Sequence, residues 1–178
     1  KASKYSIVSG MEKKMREYLL FLPLYDGIDS LYIGVDSAAI IQGPNVDIPS
    51  RKKPIVVYGT SITQGACASR PGMAYTNILE RELNREFYNL GFSGNGQLDM
   101  EVAQLLVTID AGMIIFDCIA NNTADQLKER IEPFYRYVRE HRPNVPILFI
   151  ESPLFPIMRY NAQTAKDINA KNVVLKEF

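Results

Sequence analysis

Residues 56–70, with the sequence VVYGTSITQGACASR, begin as an apolar run and change abruptly to small and hydroxyl-bearing residues. The apolar run predicts a buried strand, and the turn-forming residues behind it indicate that a helix follows. Three interpretations fit such a loop: it cradles a phosphate, it exposes a serine nucleophile, or it is an ordinary strand-to-helix turn. The rest of the chain is needed to choose among them.

The same alternation of strand, loop and helix continues toward the end of the chain. Three more apolar runs predict strands, at residues 87–92 (FYNLGF), 112–120 (GMIIFDCIA) and 145–152 (VPILFIES). Continuous apolar strands separated by amphipathic helices are typical of a parallel sheet that is covered on both faces. We therefore predict a three-layer α/β domain over residues 51–178.

The segment after the third strand carries clear helix signals. Thr123 and Gln126 have the spacing of a capping box, which marks the first turn of a helix. Apolar residues then recur at helical spacing up to Val138. Pro133 lies inside this segment, and we expect it to kink or restart the helix because it lacks an N–H group.

Residues 1–50 have a different pattern. Short apolar segments alternate there with turn-rich pieces such as YDGIDS at residues 25–30. This pattern predicts a small antiparallel β-rich domain, joined to the α/β domain by the polar residues 45–54. Because the chain opens at Lys1 rather than at methionine, we expect a mature or trimmed product.

Composition narrows the classes of function. The 20 basic residues balance the 20 acidic ones, so we expect neither a nucleic-acid footprint nor a polybasic membrane patch. The longest apolar run, residues 19–25, is too short to span a bilayer and contains a proline.

Cys67 and Cys118 have neither disulfide nor metal-ligand spacing. Cys118 is expected to be a buried apolar residue, and no pattern marks Cys67 as a nucleophile.

Small and polar residues follow the first three predicted strands. They occupy positions 59–61, 93–96 and 121–122. Ligands of parallel sheets bind beyond the carboxyl ends of the strands, so these residues are expected to converge. If Ser61 is a nucleophile, its oxyanion needs preorganised donors, which the N–H of Gly94 and the side-chain amide of Asn121 could supply.

These residues resemble the sequence blocks of the SGNH/GDSL hydrolases. GTS at residues 59–61 is similar to the family's Gly-Asp-Ser block, with Thr in place of Asp. NLGFSG at residues 89–94 resembles the Asn-x-x-x-Ser-Gly block and puts Gly94 at the oxyanion glycine. IANN at residues 119–122 is similar to the Gly-x-Asn-Asp block and keeps Asn121, with Ile and Asn replacing the flanking Gly and Asp.

Two longer stretches, residues 21–35 and 58–79, resemble a subgroup of bacterial esterases with a small β-rich domain ahead of the catalytic one. The resemblance implies the flavodoxin-like parallel sheet of the SGNH hydrolase fold. It also implies that Ser61 is the nucleophile, and that the oxyanion is held by the N–H groups of Ser61 and Gly94 and by the Asn121 side chain. No metal or other cofactor is implied.

The same resemblance implies a substrate class. A serine esterase that cleaves short acyl esters is expected, with small-molecule or glycan esters as substrates and removal of acetyl groups from carbohydrates preferred. Some relatives transfer acyl groups to other acceptors, and this alternative stays open. We expect no nucleic-acid partner and no membrane span, while the oligomeric state and the compartment stay open.

One block of the family has no match in this sequence. The family's Asp-x-x-His block supplies the base and its orienting acid, and no such pattern occurs here. The single histidine, His141, lies at the polar end of a predicted helix, on the side opposite to the candidate site, and is not assigned as the base. We therefore expect the sequence to stop short of the catalytic histidine and of a fifth strand.

Simpler interpretations stay open for several residues. Ser61 could cap the following helix, and either asparagine of residues 121–122 could cap the next one. Asp117 is a charge within an apolar run and requires a buried partner. Residues 151–152 end the fourth strand on the same side and have no assigned role. A flavodoxin-like phosphate-binding module would explain the same loops, as would a catalytically silent carbohydrate-binding protein that uses residues 1–50.

Overall fold

A parallel sheet lies at the centre of the molecule. A computed structural model describes residues 4–43 and 52–178, and its strands are β1 (Ile55–Gly59), β2 (Phe87–Gly91), β3 (Met113–Asp117) and β4 (Ile147–Phe149). Within those residues the strand order is β2-β1-β3-β4, and every neighbouring pair is parallel. The predicted parallel α/β fold is confirmed.

Helices follow each strand of this sheet. The α-helices of the described residues are α1 (Ser61–Gln64), α2 (Tyr75–Leu83), α3 (Met100–Leu106), α4 (Ala124–His141) and α5 (Ala162–Glu177). Short 3-10 helices span Pro71–Met73, Ile119–Asn121 and Pro156–Arg159. In the part of the chain that the structure describes, no helix has both the length and the apolar composition needed to cross a bilayer.

Strand β1 is buried along its whole length because it lies between β2 and β3. Successive side chains of a strand point to opposite faces of the sheet. Val56 and Tyr58 accordingly pack with residues of α3, α4 and α5, whereas Ile55 and Val57 pack against α2. Full burial of such an aliphatic side chain contributes about 1.5–3 kcal/mol. Residues on both faces of the sheet therefore anchor β1 in the core.

Tyr58 links this core to the loop before α3. Its ring stacks on Phe134 of α4 with the ring centroids 5.7 Å apart, and its hydroxyl oxygen accepts the Leu98 N–H at 3.1 Å. Burial raises the pKa of Tyr58 to about 12. The phenol therefore stays neutral at physiological pH.

Helix α4 begins as the sequence predicts. Thr123 accepts the Gln126 N–H at 3.1 Å and donates its own N–H to the Gln126 side chain at 2.8 Å, which confirms the capping box. The helix runs through Pro133 without interruption, so it does not restart there, and the kink expected at this residue stays a prediction. Proline removes the bond to the Glu129 carbonyl, but both residues are exposed and water can satisfy that carbonyl.

Residues 4–43 form neither a strand nor a helix. They are mostly exposed, and residues 21–25 contact the α/β domain beside α1. The antiparallel domain expected for residues 1–50 is therefore not shown and stays a prediction. Most of the expected linker, residues 45–54, lies outside the described residues.

Candidate active site

The carboxyl ends of β1, β2 and β3 lie side by side at one edge of the sheet. In the parallel register, Gly59 is paired with both Gly91 and Asp117. Phe92 extends this pairing by donating its N–H to the Gly59 carbonyl at 2.9 Å. The side-chain amide of Asn121 lies 3.4 Å from the Phe92 carbonyl. The structure thus brings the three loops with the candidate residues to one edge, as expected.

Ser61 is the first residue of α1, a helix of a single turn. Thr60 caps this turn by accepting the Ile62 N–H at 3.3 Å, and Gly65, with φ of 106°, closes it by donating its N–H to the Ser61 carbonyl at 3.1 Å. The N–H of a first helical residue has no partner within its helix. The Ser61 side chain is half-buried, and its hydroxyl makes no hydrogen bond to the described residues.

Neighbouring strands hold α1 in place. Asn89 of β2 donates its side-chain amide to the Thr63 carbonyl at 2.6 Å, and the Thr63 hydroxyl donates to Asp117 Oδ2, at the end of β3, at 2.7 Å. Gly91 lies directly against the main chain of Gln64, where no Cβ atom would fit. Glycine allows this close approach of strand and turn. The serine-bearing turn is thus tied to both neighbours of β1.

Asp117 is only 8% exposed, so its charge requires compensation. Its Oδ2 accepts hydrogen bonds from the hydroxyls of Thr63 and Tyr75, at 2.7 and 2.8 Å. The expected buried partner is therefore confirmed, and it consists of two hydroxyls. Burial raises the pKa of Tyr75, and the nearby Asp117 charge adds to this effect, so the phenol remains a donor.

The loop after β2 is a tight turn that presents backbone N–H groups. The N–H groups of Asn95 and Gly96 donate to the Phe92 carbonyl at 2.9 and 3.1 Å. Gly94 has φ of +75°, in the left-handed region that glycine adopts readily. Gly96 lies against the main chain of Gly59 with no room for a Cβ atom. Among the described residues, no main-chain carbonyl accepts the Gly94 N–H, which leaves it for another acceptor.

The carboxamide of Asn121 faces this turn, and in one of its two orientations it can accept the N–H groups of the turn. With its oxygen toward the turn, it accepts the N–H groups of Gly94, Asn95 and Gly96 at 3.3, 3.2 and 3.2 Å. With its nitrogen toward the turn, it donates to the Phe92 carbonyl and faces the Gly94 N–H. In this second orientation amide donors face one another without an acceptor, so the first orientation satisfies the turn better. An oxygen anion bound at this point would favour the second orientation.

Asn122 has a structural role. It is buried, and its Nδ2 donates to the carbonyls of Cys118 at 2.8 Å and Gly96 at 3.3 Å. These bonds tie the end of β3 to the turn after β2. Thr123 is the N-cap residue of α4, so the interpretation of either preceding asparagine as the cap is wrong.

The residues that end β4 have structural partners. Ser152 is buried and exchanges two hydrogen bonds with the Asn172 side chain of α5, at 2.8 and 3.0 Å. Glu151 lies 3.4 Å from the Lys176 ammonium in an ion pair. These contacts fasten α5 to the end of β4.

Among the described residues, no His, Asp or Glu side chain is hydrogen-bonded to Ser61, whose bonds involve its carbonyl. His141 ends α4 at the opposite edge of the sheet, as expected, with Nδ1 at 2.9 Å from the Tyr137 carbonyl. Cys118 is buried, which raises the pKa of its thiol, and Cys67 is exposed. In residues 4–43 and 52–178, no group of His, Cys, Asp and Glu side chains could hold a metal ion.

Sequence reasoning does not identify the polar side chains that support α1. Thr63 lies within the recognised block, but its partner Asp117 is 54 residues away. Gln64 binds the Ser93 N–H and the Leu24 carbonyl, which are 29 and 40 residues away. A hydroxyl or amide beside a strand end signals that a partner is needed, but it does not say which residue provides it.

Comparison with known proteins identifies the family of this chain. Residues 52–178 match the GDSL-like lipase/acylhydrolase family, and residues 1–41 match the N-terminus of SGNH-hydrolase-type esterases. No curated protein matches the chain. A Bacteroides ovatus protein described as a GDSL-like lipase is 41% identical, with a TM-score of 0.83, over 88% of this chain and 46% of its own.

A second solved structure shows the fold alone. The salicylyl-acyltransferase SsfX3 of a tetracycline biosynthetic pathway is 20% identical, with a TM-score of 0.56, over 71% of this chain and 40% of its own. This chain therefore spans less than half the length of either solved relative.

Proposed function

Since this chain belongs to the GDSL-like lipase/acylhydrolase family, we propose that it acts as a serine esterase on short acyl esters. The observation that carries the proposal is the meeting of three features at one edge of the sheet. Ser61 begins α1, the Gly94 N–H is left without a main-chain acceptor, and the Asn121 carboxamide faces it. Acyl transfer requires such a nucleophile beside preorganised donors.

In this proposal the Ser61 hydroxyl oxygen bonds to the ester carbonyl carbon. The carbonyl oxygen becomes an anion, which accepts the N–H groups of Ser61 and Gly94 and the N–H2 group of Asn121. Collapse of this intermediate releases the alcohol and leaves an acyl-serine, which water then hydrolyses to the acid. No metal or cofactor takes part in these steps.

A general base must take the Ser61 proton and return it to the departing alcohol. By the resemblance, that base belongs to an Asp-x-x-His block, which residues 1–178 do not contain. The proposal therefore assigns the base to another part of the full-length protein. His141 is excluded by its position at the opposite edge of the sheet.

We further propose acetylated carbohydrates as the preferred substrates. Support comes from residues 1–41, which match the N-terminus of SGNH-type esterases. By the resemblance, a β-rich domain at residues 1–50 is typical of carbohydrate esterases. Acyl transfer to another acceptor would pass through the same acyl-serine. Product analysis with and without an added alcohol distinguishes hydrolysis from transfer.

Labelling of the full-length protein with a fluorophosphonate probe tests the nucleophile. Peptide mapping is expected to find a single adduct on Ser61, and Ser61→Ala is expected to lose both the adduct and essentially all hydrolysis of p-nitrophenyl acetate. Ser69→Ala is the matched control, because Ser69 is an exposed serine of the same loop. An unlabelled Ser61, or esterase activity that survives in Ser61→Ala, would contradict the proposal.

A further inference from the structure

The side chain of Gln64 connects three parts of the chain at the proposed catalytic edge. Gln64 is the last residue of α1, the turn that begins with Ser61. Its Oε1 accepts the Ser93 N–H at 2.9 Å, and its Nε2 donates to the Leu24 carbonyl at 3.1 Å. One carboxamide thus joins the nucleophile turn to the residue before Gly94 and to the N-terminal segment.

The bond to Ser93 bears directly on the oxyanion donors. Ser93 precedes Gly94, so movement of the Ser93 main chain also moves the Gly94 N–H. The main chain of Gln64 cannot withdraw from the sheet without breaking its close contact with Gly91. In the part of the chain that the structure describes, the Gln64 side chain is the acceptor of the Ser93 N–H. It therefore limits how far the start of the turn can move relative to the nucleophile.

The N-terminal segment is docked on α1 by further contacts. The Leu24 side chain lies against Gly65, whose left-handed conformation and lack of a Cβ atom make room for it. The Tyr25 hydroxyl donates to the Ser61 carbonyl at 3.4 Å. These contacts keep the Leu24 carbonyl within reach of Gln64. The docking of this segment is thus linked to the nucleophile turn through both main-chain and side-chain groups.

We propose that Gln64 is a positioning residue that couples the docked N-terminal segment to the placement of the Gly94 N–H. This inference rests on the proposed function, because it concerns the donors of the proposed oxyanion site. A misplacement of about 1 Å costs about 100-fold in rate, and loss of one donor costs about 100- to 1000-fold. Gln64→Ala frees the loop without removing a donor, so it lowers the rate of acylation about 10- to 100-fold.

The test compares Gln64→Ala, Gln64→Glu and Gln163→Ala in the full-length protein, by the kinetics of fluorophosphonate inactivation. Gln64→Glu keeps an oxygen for the Ser93 N–H but places an oxygen against the Leu24 carbonyl, so its rate is expected between those of Gln64→Ala and wild type. Gln163 is exposed on α5 and bonds to Asp167, which makes it the matched control. Gln64→Ala lowers the maximal inactivation rate about 10- to 100-fold. The probe concentration that gives half of this maximal rate stays within about twofold of wild type.

Hydrogen exchange provides a readout that needs no turnover. A peptide covering residues 92–97 exchanges faster in Gln64→Ala than in wild type or Gln163→Ala. A role in stability alone would lower Tm and leave the inactivation rate of the folded protein unchanged. Equal inactivation rates for Gln64→Ala and wild type, or unchanged exchange at residues 92–97, would overturn the proposal.

The outcomes also separate this inference from the proposed function. If wild-type protein is not labelled at Ser61, the proposed function is contradicted. The hydrogen-exchange comparison alone then decides whether Gln64 couples the two segments. If wild type and Gln64→Ala are labelled equally fast, the proposed coupling is contradicted and the proposed function is still supported. If Gln64→Ala does not fold, Gln64→Glu has nearly the same shape and replaces it in both measurements.

Discussion

Removal of the Thr63 hydroxyl tests whether the buried Asp117 contact holds the nucleophile turn. Thr63→Val has nearly the same shape and deletes the donor that lies 2.7 Å from Asp117 Oδ2. Thr63 is fully buried, and water cannot readily take its place. The Asp117 carboxylate would keep the Tyr75 hydroxyl as a donor, at 2.8 Å.

The expected loss follows from the charge of the acceptor. A hydrogen bond to a charged group contributes about 1.5–3 kcal/mol. In a chain of this size, each kcal/mol shifts Tm by about 2–4 °C, so Thr63→Val lowers Tm by about 3–12 °C. Because Ser61 lies on the same single turn of helix, kcat is expected to fall as well, in protein that is still fully folded.

Calorimetry and urea unfolding measure this loss, with Thr108→Val as the control. Thr108 is exposed, and its hydroxyl donates to the Leu105 carbonyl at the surface, so its removal stays within about 0.5 kcal/mol. A Thr63→Val protein as stable as Thr108→Val would refute the reasoning. In a double-mutant cycle, Thr63→Val and Tyr75→Phe are expected to be non-additive, because both donors bind the same oxygen atom.

Further predictions concern the core and the candidate donors. Tyr58→Phe leaves the buried Leu98 N–H unpaired and lowers unfolding free energy at pH 7 by about 1–3 kcal/mol. Since the folded pKa of Tyr58, about 12, exceeds the unfolded value of 10.0, its stabilisation is intact below pH 10. Between pH 10 and pH 12 the unfolding free energy then falls by up to about 1.4 kcal/mol per pH unit. Urea unfolding at several pH values should find a smaller fall in Tyr58→Phe than in wild type. An equal fall in both proteins would count against this explanation. Asn121→Ala is expected to lower kcat about 100- to 1000-fold with only a small loss of Tm, because Asn121 is only partly buried. Asn122→Ala removes a buried side chain with two hydrogen bonds and is expected to lower Tm more. The reverse pattern in paired kinetic and thermal assays would exchange their roles.

Local pattern was enough to predict the parallel sheet. The apolar runs around β1 and β3 are continuous because both strands are buried on both faces, and that signal does not depend on distant residues. The capping box of α4 was predictable for the same reason, since Thr123 and Gln126 are three residues apart. The sequence did not show that α4 continues through Pro133, because the effect of a proline depends on whether the carbonyl it frees is exposed, which only the packing shows.

The candidate site was predictable in part. Parallel strands must end at a common edge, so the meeting of the loops with Ser61, Gly94 and Asn121 follows from topology. The partners of Asp117 do not follow, because a charge in an apolar run predicts a partner and not its identity. The docking of residues 21–25 on α1 likewise depends on contacts between distant segments, which have no periodic signal.

The position of the nucleophile depends on residues outside its own sequence block. An isolated helix shorter than about 12 residues is marginal in water, so α1, with four residues, cannot hold its shape alone. Contacts with other segments therefore determine where it lies. Asn89 binds the Thr63 carbonyl, and Asp117 accepts the Thr63 hydroxyl. Gln64, within α1, binds the main chain of Leu24 and of Ser93. Substitution at any one of these contacts should move the serine hydroxyl relative to the donors. The geometry of the proposed catalytic serine is thus a property of three strand ends and the N-terminal segment together.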